Sequence, residues 1–213
     1  MSAAPAAPRP ARKRPGRYHH GSLREALIQA AVRVIERDGI DALTLRSVSS
    51  MLGVSQTAMY RHFADKDSLL AAVGAEGFRT LRAALVEAWE GGGRTLEAFA
   101  AMGRAYVTFG LRHPAHYRVM FGGALGRVFK SEELRTQGDA AFLALLDPLV
   151  DLQRRGLIRR DEPMTQAAWV WAAVHGITML LTAGNLGPGV DTDALSAYVQ
   201  ERIVDSLTPV NRA

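Results

Sequence analysis

The chain has 213 residues, of which 48% are hydrophobic and 22% charged, the balance of an ordinary globular protein long enough for one large domain or two small ones. It has no cysteine, which excludes disulfides, thiolate metal sites and cysteine nucleophiles. The net charge of +5 is confined to one end: residues 1–75 hold 11 Lys/Arg against 6 Asp/Glu, whereas residues 76–213 hold 15 of each. A local basic excess of this kind is the footprint of a polyanionic partner.

Residues 1–17 are rich in Pro and Ala and carry Arg9, Arg12, Lys13, Arg14 and Arg17 without an acid. They lack the apolar core of a secretion signal, so a cytoplasmic protein is expected, with this segment a disordered basic arm. It either adds phosphate contacts or is a solvated tail. His19 and His20 stand at its edge.

Ser22-Leu-Arg-Glu25 has the form of a capping box and predicts a first helix, whose apolar positions run from Leu23 to Ile35 and which stops before Gly39. Thr44 predicts the start of a second helix ending at Leu52. Gly53 supplies a turn, and Ser55 caps a third helix ending near His62. Val48, Leu52, Val54 and Met59 hold this pair together. One face of the third helix is left with Gln56, Thr57, Tyr60 and Arg61. Four donor-rich side chains in one cluster suit the major groove of double-stranded DNA, where amide, hydroxyl and guanidinium groups read base edges and grip phosphates. The pair is a candidate helix-turn-helix.

A long fourth helix is predicted from Asp65 to about Glu90, followed by the break Gly91-Gly92-Gly93. Thr95 opens a fifth helix ending near His113-Pro114, and Ala115–Phe121 makes a short sixth. Residues 122–129 read as loop. A seventh helix runs from Ser131 to Arg155, with a kink expected at Pro148. Residues 163–184 form an eighth helix that is apolar on every side apart from His175, Thr178 and Thr182. It is too short and too polar at its centre for a membrane span, so it needs cover on both faces. Residues Thr192 to Leu207 form a ninth. No strand-like alternation of useful length occurs, and the chain reads as all-α with about nine helices.

The pattern Ala30…Gly39, Thr44, Gly53-Val54-Ser55, Tyr60-Arg61-His62-Phe63, Lys66 and Leu69-Leu70 resembles the tetracycline-repressor (TetR) family of bacterial transcriptional regulators. Trp171-x-x-x-His175-Gly176 and His113-Pro114…Tyr117…Met120-Phe121 resemble one branch of its C-terminal domains. The resemblance implies a helix-turn-helix domain over 18–66, with helix four as a linker from 65, and a helical ligand-binding and dimerisation domain over 67–213. It further implies that Thr44, Arg46, Ser55, Gln56, Thr57, Tyr60, Arg61, His62 and Lys66 contact DNA. Ala58 stands where many relatives have threonine or glycine, which removes one contact. Family members bind a palindromic operator as dimers, repress, and release DNA when a small molecule enters the C-terminal domain.

The ligand pocket is expected between helices five, seven and eight, lined by Met102, Tyr106, Phe109, Tyr117, Phe142, Leu146, Trp169, His175 and Met179, and suited to a mostly apolar effector. Aromatic and Met residues at helical spacing are more often plain core, and His175 is a candidate for a bond to ligand, core or partner. Helices eight and nine are expected to form a symmetric dimer interface through Trp171, Val174, Leu181, Leu195, Tyr198, Val199 and Ile203. His113 and His116 lack a ligand-spaced carboxylate in sequence, so no metal is expected. Asp147 and Asp151 suit a solvated face better than an acid/base pair. No nucleophile motif, phosphate loop or dinucleotide fingerprint occurs, so neither an enzyme nor a bound cofactor is expected. Two other classes remain open: a sequence-independent DNA binder relying on its arm, and a helical small-molecule-binding protein with weak DNA binding.

Overall fold

The computed structural model describes residues 20–122 and 131–208, with side chains from Leu23 onward. The basic arm, His19, the Ser22 hydroxyl and the loop expected over 123–129 lie outside the described residues. Nine helices are described: α1 (His20–Asp38), α2 (Leu45–Leu52), α3 (Gln56–Tyr60), α4 (Lys66–Gly91), α5 (Leu96–Arg112), α6 (Pro114–Phe121), α7 (Glu132–Arg154), α8 (Pro163–Ala183) and α9 (Thr192–Leu207). No strand occurs among the described residues.

Side-chain caps determine where most of these helices begin. Thr44, Ser55, Asp65, Thr95 and Ser131 each precede a helix and accept a hydrogen bond from the backbone N–H three residues on. At Thr44 and Asp65 the bond is reciprocated by Ser47 and Ser68, giving two full capping boxes. The expected box at Ser22 is different. Helix α1 is already under way from His20, because an earlier start lets backbone carbonyls satisfy the N–H groups that a Ser22 cap would have served. Helix α7 runs through Pro148 as one continuous element.

The turn between α2 and α3 depends on Gly53, whose φ of 66° lies in the left-handed region and whose N–H closes α2 on the carbonyls of Ser49 and Ser50. The angled pair is then packed through Leu45, Val48 and Met59 onto Leu27, Ala31, Val34 and Ile35 of α1. Phe63 closes the bottom of this head, with the Arg24 guanidinium 5.6 Å above its ring.

Helix α4 is the axle of the molecule. Every residue from Leu69 to Ala75 is buried, and the helix packs against α1 in the head and against α5, α6 and α7 in the body. Its crossing with α6 is close because residue 77 is glycine: a Cβ there would overlap the Met120 sulfur and press on His116. Helices α5, α7, α8 and α9 complete the body around the C-terminal half of α4.

No atom stands near enough to obstruct a Cβ at Gly53, so only backbone strain opposes a side chain there. The expected outcome for Gly53→Ala is a loss of about 1–2 kcal/mol by urea denaturation, with Gly53→Asn losing less because asparagine tolerates left-handed backbone.

Candidate DNA-reading surface and interior cavity

Helix α3 is short and is held from below by Met59, which is fully buried, so its outward face is fixed relative to the head. That face carries Thr57, Tyr60 and Arg61, all exposed, with Tyr60 58% accessible. Arg46 on α2 is exposed as well, and neither Arg46 nor Arg61 forms an ion pair among the described residues. The Thr44 and Ser55 hydroxyl oxygens accept backbone bonds as caps, which leaves each O–H free to donate to an outside acceptor. His62 is half-buried at the end of α3. Two expected readers are engaged differently. The Gln56 amide donates to Ser49 Oγ, which ties α3 to α2 and leaves its carbonyl oxygen outward. Lys66 Nζ donates to the Asp41 carbonyl at 3.2 Å, so its ammonium braces the α1–α2 connection.

Some way along α4 the body encloses a cavity of about 350 Å³. Its wall comes from α4 (Phe78, Leu81, Leu85), α5 (Phe99, Met102, Tyr106), α6 (Met120, Phe121), α7 (Gly138, Phe142, Leu145), α8 (Val170, Trp171, Val174) and α9 (Gln200, Ile203). Almost all of it is hydrocarbon and aromatic surface, with Arg135 and Asp139 of α7 as its charged members. Such a space suits an apolar ligand oriented by few polar groups.

A head of this geometry on an all-helical body matches two family descriptions: "Bacterial regulatory proteins, tetR family" over residues 27–73 and "Tetracyclin repressor-like, C-terminal domain" over residues 99–203. The chain belongs to the TetR family. It is similar to the HTH-type transcriptional regulator Rv0681 of Mycobacterium tuberculosis, at 25% identity over 81% of this chain and 75% of that one. A solved structure from Rhodococcus sp. RHA1 is 31% identical and superposes with a TM-score of 0.77, covering 91% of this chain and 100% of that one. The nicotine-responsive transcriptional repressor HdnoR of Paenarthrobacter nicotinovorans is 43% identical over 53 residues, 25% of this chain and 27% of its own. TetR-family members are DNA-binding transcriptional regulators rather than enzymes.

Within this TetR fold the expected pocket residues divide. Met102, Tyr106 and Phe142 line the cavity. Phe109, Tyr117, Leu146, Trp169, His175 and Met179 do not. Trp169 and Trp171 are two residues apart on a helix, about 200° around its axis. Trp171 therefore faces the cavity, while Trp169 points outward at 45% exposure and Met179 is likewise exposed. Leu146 is replaced by its neighbour Leu145 for the same reason of phase. Phe109 and Tyr117 are core.

Three residues expected at the dimer face, Trp171, Val174 and Ile203, also line the cavity, while Leu181, Leu195 and Val199 are half-buried and do not line it. Tyr198 is 58% exposed, with Arg202 lying 5.4 Å over its ring. The cavity members that the sequence reading missed, Phe78, Phe121 and Gln200 among them, sit on α4, α6 and α9. A lone amide on the apolar stripe of α9 was the one available signal.

His175 is half-buried and tied to two tyrosines. Its Nδ1 lies 2.7 Å from Tyr117 Oη and 3.0 Å from Tyr106 Oη, and Trp171 Nε1 donates to Tyr106 Oη at 3.3 Å. Burial pushes the imidazole pKa down, the Tyr106 hydroxyl up to about 12 and the Tyr117 hydroxyl up as well, so all three groups are neutral near pH 7.

Polar contacts also join head and body. Arg24 of α1 and Arg79 of α4 both meet Glu133 of α7, at 2.8 and 3.2 Å. Glu76 of α4 accepts from Gln29 of α1 and pairs with His116 Nε2 of α6 at 3.3 Å. The carboxylate partner of His116 thus comes from another helix, 40 residues away in sequence. The His116 hydrogen bond holds the Glu76 carboxyl below its ordinary value of 4.5, against the opposing effect of burial. A carboxyl held low in the fold binds its proton more weakly folded than unfolded. Its stabilisation is therefore full above the ordinary value and is lost as pH falls through the lowered one. The expected result for Glu76→Gln is a loss of stability at pH 7 of about 1 kcal/mol by urea denaturation, with the gap from the native chain closing as pH falls below the ordinary carboxyl value of 4.5.

Proposed function

We propose that this TetR-family regulator is a repressor that binds a palindromic operator as a homodimer and is released by a small, mostly apolar effector held in the interior cavity. The observation that carries this reading is that α4 seats the head at its N-terminal end and, through Phe78, Leu81 and Leu85, walls the cavity further along. The proposed division is a DNA-binding unit over 18–66 and an effector and dimerisation unit over 67–213, with α4 crossing the boundary. HdnoR, similar over the DNA-binding end, is named as a nicotine-responsive repressor, which supports the direction of control.

The DNA contacts follow from the exposed face. Thr57, Tyr60, Arg61 and the outer edge of Gln56 enter the major groove, with Thr44, Arg46 and Ser55 on the flanking phosphates and His62 and Lys66 at the margin. Two such faces related by a two-fold axis must stand about 34–36 Å apart to enter successive grooves. A second copy is brought in by α8, whose outward side exposes Trp169, Ala172, Gly176, Met179 and Leu180. A Cβ at Gly176 would meet nothing in its own chain, leaving a shallow channel for a partner helix. Helix α9 extends this face with Tyr198. An effector that fits one tilt of α4 better than the other shifts the spacing of the heads, and a preference of about 1–3 kcal/mol is the usual size of such coupling. Action on DNA places the protein in the cytoplasm.

Mobility-shift titration against the DNA upstream of its own gene tests the reading. Sequence-specific binding that survives removal of residues 1–17 is expected; binding of any DNA, lost with the arm, would refute it. Arg61→Ala should weaken specific binding by about 1–3 kcal/mol without moving the melting temperature by more than a degree or two. In sedimentation at micromolar concentration the chain should run as a dimer, and Ala172→Glu as a monomer with reduced operator affinity.

A further inference from the structure

Among the described residues, Gln56 differs from Thr57, Tyr60 and Arg61 on the same face in having a side-chain partner inside the head. That partner is Ser49 of α2, which is fully buried. Its hydroxyl stands between two groups: it donates to the Arg46 carbonyl at 3.0 Å and accepts from Gln56 Nε2. A carbonyl oxygen can only accept, so the single hydroxyl proton goes to Arg46 and the serine oxygen is left to accept. Only the N–H edge of the amide can answer it. With the amide turned over, two acceptors would compete for one proton, and one bond would be lost. An alanine at 49 would bury as easily and favour the helix more, so packing alone gives no reason for the hydroxyl.

The lock matters because a glutamine is ambiguous as a reader. Its terminal torsion is broad and roughly two-fold, so a free amide turns either its N–H or its C=O edge outward. In the major groove adenine and cytosine present an amino group, whereas guanine and thymine present a keto oxygen. A free amide meets either by turning over. One held by Ser49 keeps Oε1 outward, and that oxygen bonds only to a donor.

We propose that Ser49 is a positioning residue for base reading: it fixes the Gln56 amide so that Oε1 selects the base of the pair that offers an amino group. This rests on the reading of α3 as the helix that enters the major groove. Ser49 itself is buried and touches no DNA; it acts through the edge that Gln56 presents.

Selection from randomised duplexes by the full-length protein supplies the probe, and the base pair whose preference is lost in Gln56→Ala is the one this side chain reads. On the native chain, deleting the amino group of that pair, with purine for adenine or 2-pyrimidinone for cytosine, should weaken binding about fivefold, and deleting the keto oxygen of the partner base should change it by less than about twofold. Reversing the pair should cost the native chain about as much as losing the amino group, and Ser49→Ala almost nothing, because its amide can turn over. Gln56→Glu has two accepting oxygens, so its need for the amino group should persist with or without Ser49. A merely structural loss would lower affinity for every duplex alike and leave these ratios unmoved. A keto requirement in the native chain, an undiminished reversal penalty in Ser49→Ala, or the absence of any pair dependent on Gln56 overturns the inference while specific binding stands. Enrichment of no sequence overturns the groove reading and this inference with it. Should Ser49→Ala fail to fold, Ser49→Cys, close in size but a weak acceptor, and the group deletions on the native chain still decide.

Discussion

From Leu69 to Ala75 every side of α4 is covered, so this stretch cannot shift without moving the helices packed on it. Protein interiors are packed as densely as organic crystals, and such cores move between discrete arrangements rather than deforming smoothly. The consequence is directional. Helix α4 has 26 residues, about 39 Å at 1.5 Å per residue, with the head at one end and the cavity wall from Phe78 onward. A displacement at Phe78 would reach the head as a movement of α4 rather than being absorbed along the way.

The polar contacts that join head to body tune this linkage more than they stabilise it. The Arg24–Glu133–Arg79 cluster is substantially exposed on all three members, and pairs of that kind contribute little to folding. Their geometry is informative in another way. Glu133 bonds α1 and α4 together to α7, and Glu76 bonds α1 and α6 to α4. Helix α1 is thus held to the body by two acids on different elements. Any change in the angle between α4 and α7 strains one of them.

Local chemistry made much of the architecture legible in the sequence. Thr44, Ser55, Asp65, Thr95 and Ser131 act through bonds only three residues long, so the residue and its effect are both visible in the sequence. Gly53 is similar, since its role depends on its own φ alone. The cavity was much less legible because its wall depends on how six helices are turned relative to one another. Helix α8 shows the difficulty: being apolar all round, its periodicity could not say which of Trp169 and Trp171 faces inward. Gln56 and Lys66 show a related difficulty. Their side chains can serve outward or inward, and Ser49 and the Asp41 carbonyl claimed them.

The two sides of the cavity differ in stiffness, and in the proposed switch that difference sets the direction. On the α5–α8 side, Tyr106, Trp171, Tyr117 and His175 are joined by hydrogen bonds between neutral groups, and the Tyr117 and His175 rings stack at 5.7 Å. Moving any one of them would leave a buried polar group unpaired. On the α4–α7 side the contacts are dispersive: Phe78 meets Phe121 edge-on at 5.6 Å and lies across Gly138, where a Cβ would stand 3.7 Å from its ring. Dispersive contacts re-form after sliding and hydrogen bonds do not tolerate it. A ligand that expanded the cavity would therefore displace Phe78 before Tyr106, and Phe78 belongs to the helix that carries the head.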